Sequence, residues 1–273
     1  LPGDVTQTVN FSSDHMHCVD LTLPASDFEL LRRQTRFEGP LFGAGLAWAA
    51  QCNTPLPEGY AWFTANSRIN GVELRQVGLR KKGFIGSVVR TKPSLKIKTD
   101  RVRKGQKLGD TERITLNNSR QDPARMVTCL AYEVFAAAGH PAPRCNLANV
   151  MVNGTPLGPY VHVEAVKKAM LRRLFGEGGD AGSLYEGTVA DFTDAHTAGF
   201  ATGELGHWQA KTSDSDPSGA PLLAVLAALR VDDASLEQEL GKVLNIKRFM
   251  TYWAVEVVVG HLDSYSAGAN NFF

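Results

Sequence analysis

The chain closes on Gly260-His261-Leu262-Asp263-Ser264-Tyr265-Ser266-Ala267-Gly268-Ala269-Asn270-Asn271-Phe272-Phe273, a polar segment after a helix-like run. Just before it, Ile246, Phe249, Met250, Trp253 and Val257 recur at helical spacing. They form a broad apolar stripe, so a helix over 246–260 is expected, buried on one side and stopped by Gly260. One His, one Asp and two adjacent Asn follow, and the pair Phe272-Phe273 begins a strand. A carboxylate just past a helix end can orient or deprotonate a hydroxyl, and an amide oxygen nearby can help hold a divalent cation. Phosphoryl transfer needs both, because it is catalysed by positioning and by neutralising phosphate charge. The same residues also suit a polar loop whose Asp and Asn satisfy backbone groups in turns.

Length allows one large domain or two lobes with a sizeable core. The chain is 43% hydrophobic and 21% charged with a net charge of +1. That balance gives no reason to expect nucleic acid or an anionic membrane surface as partner. No apolar run approaches the roughly 20 residues of a membrane-spanning helix. Cys18, Cys52, Cys129 and Cys145 lack the paired spacing of a zinc site. They permit two disulfides or buried free thiols, which leaves the redox compartment open. The opening Leu1-Pro2-Gly3-Asp4 and the close inside an apparent strand suggest a piece of a longer protein.

Taken in order, Val5–Val9 and Cys18–Leu23 alternate as half-buried strands do, and Asp27–Leu31 reads as a short helix capped by Ser26. Residues 36–66 look like an irregular insertion rich in Gly, Ala and Pro. Ile69-Asn70-Gly71-Val72 fits a hairpin turn. Between Gly78 and Ser87, two glycines three apart (Gly83, Gly86) lie in a basic stretch, where backbone N–H groups could approach phosphate; a solvated basic hairpin is the plain alternative. Leu95-Lys96-Ile97-Lys98 is an alternating strand with both lysines on one face, and Arg113–Leu116 is another. Asp122-Pro123 starts a helix that ends before Gly139, with Met126, Leu130, Val134 and Ala137 as its apolar stripe. Glu133 at the margin of that stripe either pairs with a cation such as Lys96 or tilts into solvent. A hairpin over 145–164 turns at Asn153-Gly154 and ends at Glu164, where an acceptor for a ribose hydroxyl could stand. A basic helix from about 165 to 175 follows, then a polar surface loop over 190–218, then helices over 219–230, 233–243 and 246–260.

Taken together these segments resemble the spore-coat protein H (CotH) kinase family. The residues that carry the resemblance are Arg80 to Gly83, Pro93-Ser94-Leu95-Lys96, Leu116-Asn117-Asn118, Val152-Asn153-Gly154, Val163-Glu164, Leu184-Tyr185, and Asp263-x-Tyr265 with Asn270-Asn271. The resemblance spans roughly 69–273, with 18–35 as the family's opening strands. It implies an α+β, divergent two-lobed protein-kinase-like fold: a β-rich nucleotide-binding lobe over 1–163 and a mainly helical lobe over 164–273. It implies transfer of phosphate from ATP, with Mg2+ or Mn2+, to Ser or Thr of secreted or surface proteins, and hence an extracytoplasmic location.

Position by position, Asp263 matches the catalytic Asp, and Asn270 and Asn271 the Asn pair near the metal. Lys96 matches the strand Lys on the ATP phosphates, Arg80 and Gly83 the segment covering them, and Glu164 the lobe-junction Glu. Glu133 as ion-pair partner of Lys96 is an analogy with kinases rather than a family feature. The order His-x-Asp then Asn also echoes the protein-kinase catalytic loop, but there the Asn stands five residues after the Asp, a position held here by Gly268. Phe84-Ile85-Gly86-Ser87 replaces a common Gly-Asn-Ser-Ser, Val166-Lys167 stand where an Asp is usual, and Leu262 replaces a frequent Trp. The family's later Trp-Asp-x-Asp segment, whose Asp would bind metal, is not in the sequence, so the helical lobe reads as incomplete. This polypeptide is therefore expected to be inactive or nearly so, with kinase activity in a longer parent. The competing reading is a surface structural or adhesion protein that keeps the fold without catalysis. A metal-dependent hydrolase using Asp263 and His261 is the weakest option, since no further ligand stands at the right spacing.

Overall fold

The Asn70-Gly71 turn forms as its residues dictate: both take positive φ, 48° and 85°, which is the conformation of a two-residue hairpin turn. It joins β2 (Phe63–Ile69) to β3 (Val72–Lys82), with Ile69 opposite Val72. Asn153-Gly154 repeats the device, with φ of 50° and 77°, between β6 (Cys145–Val152) and β7 (Thr155–Val163). The computed structural model describes residues 11, 15–35, 59–84 and 86–273. With β1 (His17–Thr22), β4 (Ser94–Lys98) and β5 (Arg113–Asn117), these hairpins make a closed barrel in the order β1-β2-β3-β4-β5-β7-β6. Neighbours run antiparallel except β1 and β6, whose parallel pairing closes the ring. The architecture is α+β.

Strand alternation fills the interior. Val19, Leu21, Leu79, Leu95, Ile97, Leu116 and Val150 are essentially inaccessible and form one cluster, each stabilising by about 1.5–3 kcal/mol through burial. Lys81 also lies buried on β3 and is kept by its partners: its ammonium donates to the carbonyls of Arg32 (2.7 Å) and Gln34 (2.8 Å). These close the C-terminal end of α1 (Ala25–Arg33), where a cation suits the helix dipole. Burial pushes the Lys81 pKa down to about 8, and Arg90 adds to the effect. Helix α1 begins after Pro24, so Ser26 lies inside its first turn instead of capping it.

The expected insertion over 36–66 is shorter than that, because 63–66 already belong to β2; 36–58 and the expected strand Val5–Val9 lie outside the described residues. Helix α2 (Val127–Ala137) starts later than Asp122-Pro123 suggests. Arg125 takes φ of 57° and breaks the run, while Asp122 accepts from the N–H groups of Arg125 and Val127, both at 2.9 Å. Its apolar stripe is not buried: Met126, Leu130 and Val134 are 54%, 55% and 39% exposed. A disulfide from Cys129 to Cys145 ties the helix to β6. Cys18 is a free thiol.

The described chain divides into two units, one of 11, 15–35, 59–133 (less 85) and 142–170, the other of 134–141 and 171–273. Helices α2 and α3 (Lys168–Phe175) run across two of the three division points, 133/134 and 170/171. The second unit holds β8 (Tyr185–Gly187) paired with β9 (Trp208–Ala210), and helices α4 (Asp194–Thr197), α5 (Ala220–Ala228), α6 (Asp233–Gly241), α7 (Ile246–Val258) and α8 (Tyr265–Gly268). Its core is Tyr185, Ala190, Phe200, Trp208 and Leu222. Residues 190–218 thus supply the centre of this unit instead of a surface loop; a few large aromatics among polar residues are enough to seed a core, although they leave no periodicity to read. On α7 the buried residues are Val255 and Glu256, while Met250, Trp253 and Val257 of the expected stripe are more than 40% exposed. Helical spacing fits Phe249-Tyr252-Val255-Glu256 as well as Ile246-Met250-Trp253-Val257, and only packing chose between them.

Candidate active site

On the barrel, alternation turns Leu95 and Ile97 inward and leaves Lys96 and Lys98 on the outer face. Arg80 stands directly opposite Lys96, and Lys96 opposite Thr115; Lys98 faces Gly78 on one side and Arg113 on the other. Like charges set opposite each other across strands repel. Lys82 donates to the side-chain oxygen of Asn117 (2.6 Å) and Lys98 pairs with Asp100 at 3.6 Å. The Arg80 guanidinium lies 4.7 Å from the centre of the Trp62 ring, and Arg101 covers the same ring at 4.8 Å. Gly78 makes room for this: a Cβ there would come within 2.5 Å of the Arg101 side chain. Such a cation-rich face suits the several oxygens of a phosphate chain.

Gly83 ends β3 with φ of 112°, a conformation that L side chains avoid, and a Cβ would sit 2.6 Å from the Ser87 hydroxyl. That hydroxyl accepts from Phe84 N–H at 3.0 Å. The loop leading to β4 is then fastened from behind. Buried Asn118 donates both amide hydrogens, to the carbonyls of Ser87 and Lys92, each at 2.9 Å. Glu164, just past β7, is 7% exposed and spends both carboxylate oxygens on Arg144, one on its N–H (3.0 Å) and one on its guanidinium (2.8 Å). Glu133 is exposed and makes no ion pair, with Lys96 or otherwise, among the described residues. No residue of helix α2 is fully buried, and the Cys129–Cys145 disulfide is what fastens it to β6.

In the second unit, Asp263 follows α7 and is exposed, and its two oxygens accept from different amides: Asn270 Nδ2 on Oδ1 at 2.6 Å and Asn271 Nδ2 on Oδ2. The single turn of α8 and the left-handed Ala269 and Asn271 (φ of 48° and 49°) fold the Asn pair back onto the Asp. A longer sequence interval than in protein kinases therefore still ends in contact. Asn270 has a second task, because its Oδ1 accepts from Val189 N–H at 3.2 Å. Ala190 N–H donates to Ala269 (2.8 Å) and Gly187 N–H to Phe272 (3.0 Å), so residues 187–190 strap the exit of the loop. Gly187 has to be glycine here, since a Cβ would lie 2.2 Å from the Phe272 ring. The ring packs edge-on against Trp208 and Tyr265. Tyr265 donates its hydroxyl to Asp191 at 3.1 Å; burial first and that carboxylate second push its pKa up to about 12.

The model of the family described as CotH kinase protein matches residues 79–273, a stretch that contains both arrangements. The chain belongs to the CotH kinase family. No curated protein sequence matches it closely enough to count as a relative. For this CotH-family chain, the first unit brings Arg80, Lys96 and the Gly83 turn onto adjoining strands. The second unit brings Asp263, Asn270 and Asn271 into mutual contact. Glu164 and Glu133 join neither group. No role at the site is legible in the sequence for Trp62, Val189 or Glu256, and Asn118 shows there only as part of the Leu116-Asn117-Asn118 motif. Trp62 was lost in the supposed insertion. Glu256 did leave a signal, as a lone carboxylate in the apolar run Trp253-Ala254-Val255-Glu256-Val257-Val258.

Proposed function

We propose that this protein is an ATP-dependent kinase of the CotH type that phosphorylates Ser or Thr side chains of secreted or surface proteins, built on a divergent two-lobed kinase-like fold. The observation that carries this reading is the Asp263 carboxylate gripped by two Asn amides within a family match that also contains the Arg80–Lys96 pair. Asp263 orients the acceptor hydroxyl and takes its proton. Two amide donors fix its plane, and a carboxylate that accepts two hydrogen bonds keeps further lone pairs for a third. Arg80 and Lys96 supply positive charge to the phosphates, and Gly83 lets the backbone of the turn come close to them.

The donor set suits a hard divalent cation, Mg2+ or Mn2+, which takes oxygen ligands from few side chains together with phosphate and water. Asn271 fits best: its Nδ2 is used on Asp263, which leaves its carbonyl oxygen for the cation, whereas the oxygen of Asn270 is used on Val189. When bound, the cation neutralises charge on the β- and γ-phosphates. The Cys129–Cys145 disulfide supports an oxidising, extracytoplasmic location.

The test is phosphate transfer from labelled ATP with Mg2+ or Mn2+ to the enzyme itself or to a Ser-rich secreted protein, by the longer parent protein and by its Asp263→Asn variant. Equal labelling by the two would remove the catalytic assignment. The alternative, a surface structural or adhesion protein without catalysis, draws on the departures at Phe84 to Ser87 and Gly268. It predicts no labelling by either protein.

A further inference from the structure

Glu256 is the odd residue of α7. Its side chain is 1% exposed, in a helix whose neighbouring positions Val255 and Val257 are apolar. Among the described residues no Lys or Arg pairs with it, and the basic group in reach is His261, whose Nδ1 lies 3.8 Å from Oε1. A buried carboxylate without a fixed cation is costly, so its position needs a reason other than core packing. Its hydrogen bonds give one. Oε1 accepts from the Tyr252 hydroxyl one turn back on the same helix, which fixes the carboxylate. Oε2 accepts from the backbone N–H of Ser266 at 3.0 Å, in the first turn of α8. The carbonyl of Glu256 accepts from His261 N–H at 3.0 Å. One residue thus holds the loop on both sides of Asp263, at 261 and at 266.

Resting on the kinase reading above, we infer that Glu256 is the positioning residue of the Asp263 loop: it sets the carboxylate in place from within the core without touching substrate. Tyr252 orients Glu256, Glu256 fixes α8, and α8 returns Asn270 and Asn271 to Asp263. What matters is the reach of the side chain to Ser266, more than its charge.

The experiment compares Glu256→Gln, Glu256→Asp and Glu256→Ala in the longer parent protein, by ATP kinetics and by amide hydrogen exchange of a peptide covering 261–271. Gln keeps an acceptor for Ser266 and can donate to Tyr252, so it should stay within about threefold of the parent. Asp keeps the charge but withdraws it by a methylene. Asp and Ala should lose turnover by about 30-fold with the KM for ATP within about twofold, the scale expected of a small misplacement. Exchange at 261–271 should rise about tenfold in both, with that of β3 to β5 unchanged. If Asp performs as well as the parent and Gln does not, charge rather than reach is at work and the inference falls. Parental turnover and loop exchange in all three would also overturn it, while inactive Asp263→Asn in the same assay would leave the kinase reading standing. If the parent transfers no phosphate, the kinase reading fails instead, and loop exchange alone still decides whether Glu256 holds the loop. Should Ala fail to fold, comparing Gln with Asp still separates reach from charge.

Discussion

Arg80 on β3 and Lys96 on β4 occupy directly opposed positions on the outer face of the barrel. A phosphate chain lying along this face gains from both charges. ATP should therefore bind with an affinity that falls as salt is raised. Lys96→Ala and Arg80→Ala should each weaken binding about tenfold, which is about 1.4 kcal/mol. Titration of the full chain with ATP at low and high ionic strength reads this; unchanged affinity in both variants would remove the pair from the nucleotide site.

Asp263 is exposed and, among the described residues, makes only the two amide contacts given above. Asp263→Asn should then lower stability by about 1 kcal/mol or less, while phosphate transfer falls by a factor of about 100 or more, as for loss of a general base. A melting curve run beside the labelling assay separates the effects. A variant that unfolds readily would make the loss of activity uninformative about chemistry.

The two asparagines should behave differently. Asn271→Ala is expected to raise the concentration of Mg2+ or Mn2+ needed for half-maximal transfer. Asn270→Ala should loosen the contact with Val189, visible as faster proteolysis or hydrogen exchange around 187–190, with a smaller effect on metal dependence. Identical metal titrations in the two variants would contradict this division of roles.

The Cys129–Cys145 disulfide closes a short loop, with the two residues 16 apart in sequence, and ties down a helix in which no residue is fully buried. Breaking it with Cys129→Ser should cost about 3 kcal/mol by the chain-entropy estimate. The shift of the denaturant midpoint measures it, and a reducing agent should shift the parent by the same amount.

His162 is 4% exposed within the barrel unit, and its pKa is lowered to about 3 by burial first, then by His17 and Arg144. Its unfolded pKa is about 6.5. Between these values the unfolded chain binds a proton that the folded chain refuses. The contribution of neutral His162 is therefore full above about pH 6.5 and is lost as pH falls toward 3. Stability measured across this range should fall less steeply in His162→Asn than in the parent, and parallel curves would contradict the assignment.

Much of this molecule is legible in its residues. The Asn70-Gly71 and Asn153-Gly154 turns, the alternation of Leu95 to Lys98 and the helices at 220–228, 233–241 and 246–258 follow from local chemistry: turns that need positive φ, period 2 in strands and period 3.6 in helices. The family was legible too, because Asp263 and the Asn pair stand in order with the basic strand and the hairpins.

Only the tertiary structure decided which apolar faces would be covered. Hydrophobic spacing states that a face gains by burial and is silent on whether anything lies over it, so Met126, Leu130, Val134 and Trp253 read as core and stand exposed, while Phe200 and Trp208, without periodicity, became core. It also decided the contacts across sequence: Asn271 on Asp263, Asn118 behind the Gly83 turn, Glu256 on Ser266. Those depend on where a left-handed residue or a one-turn helix redirects the chain, and a change of a few degrees in φ and ψ summed over several residues lies below what residue types encode.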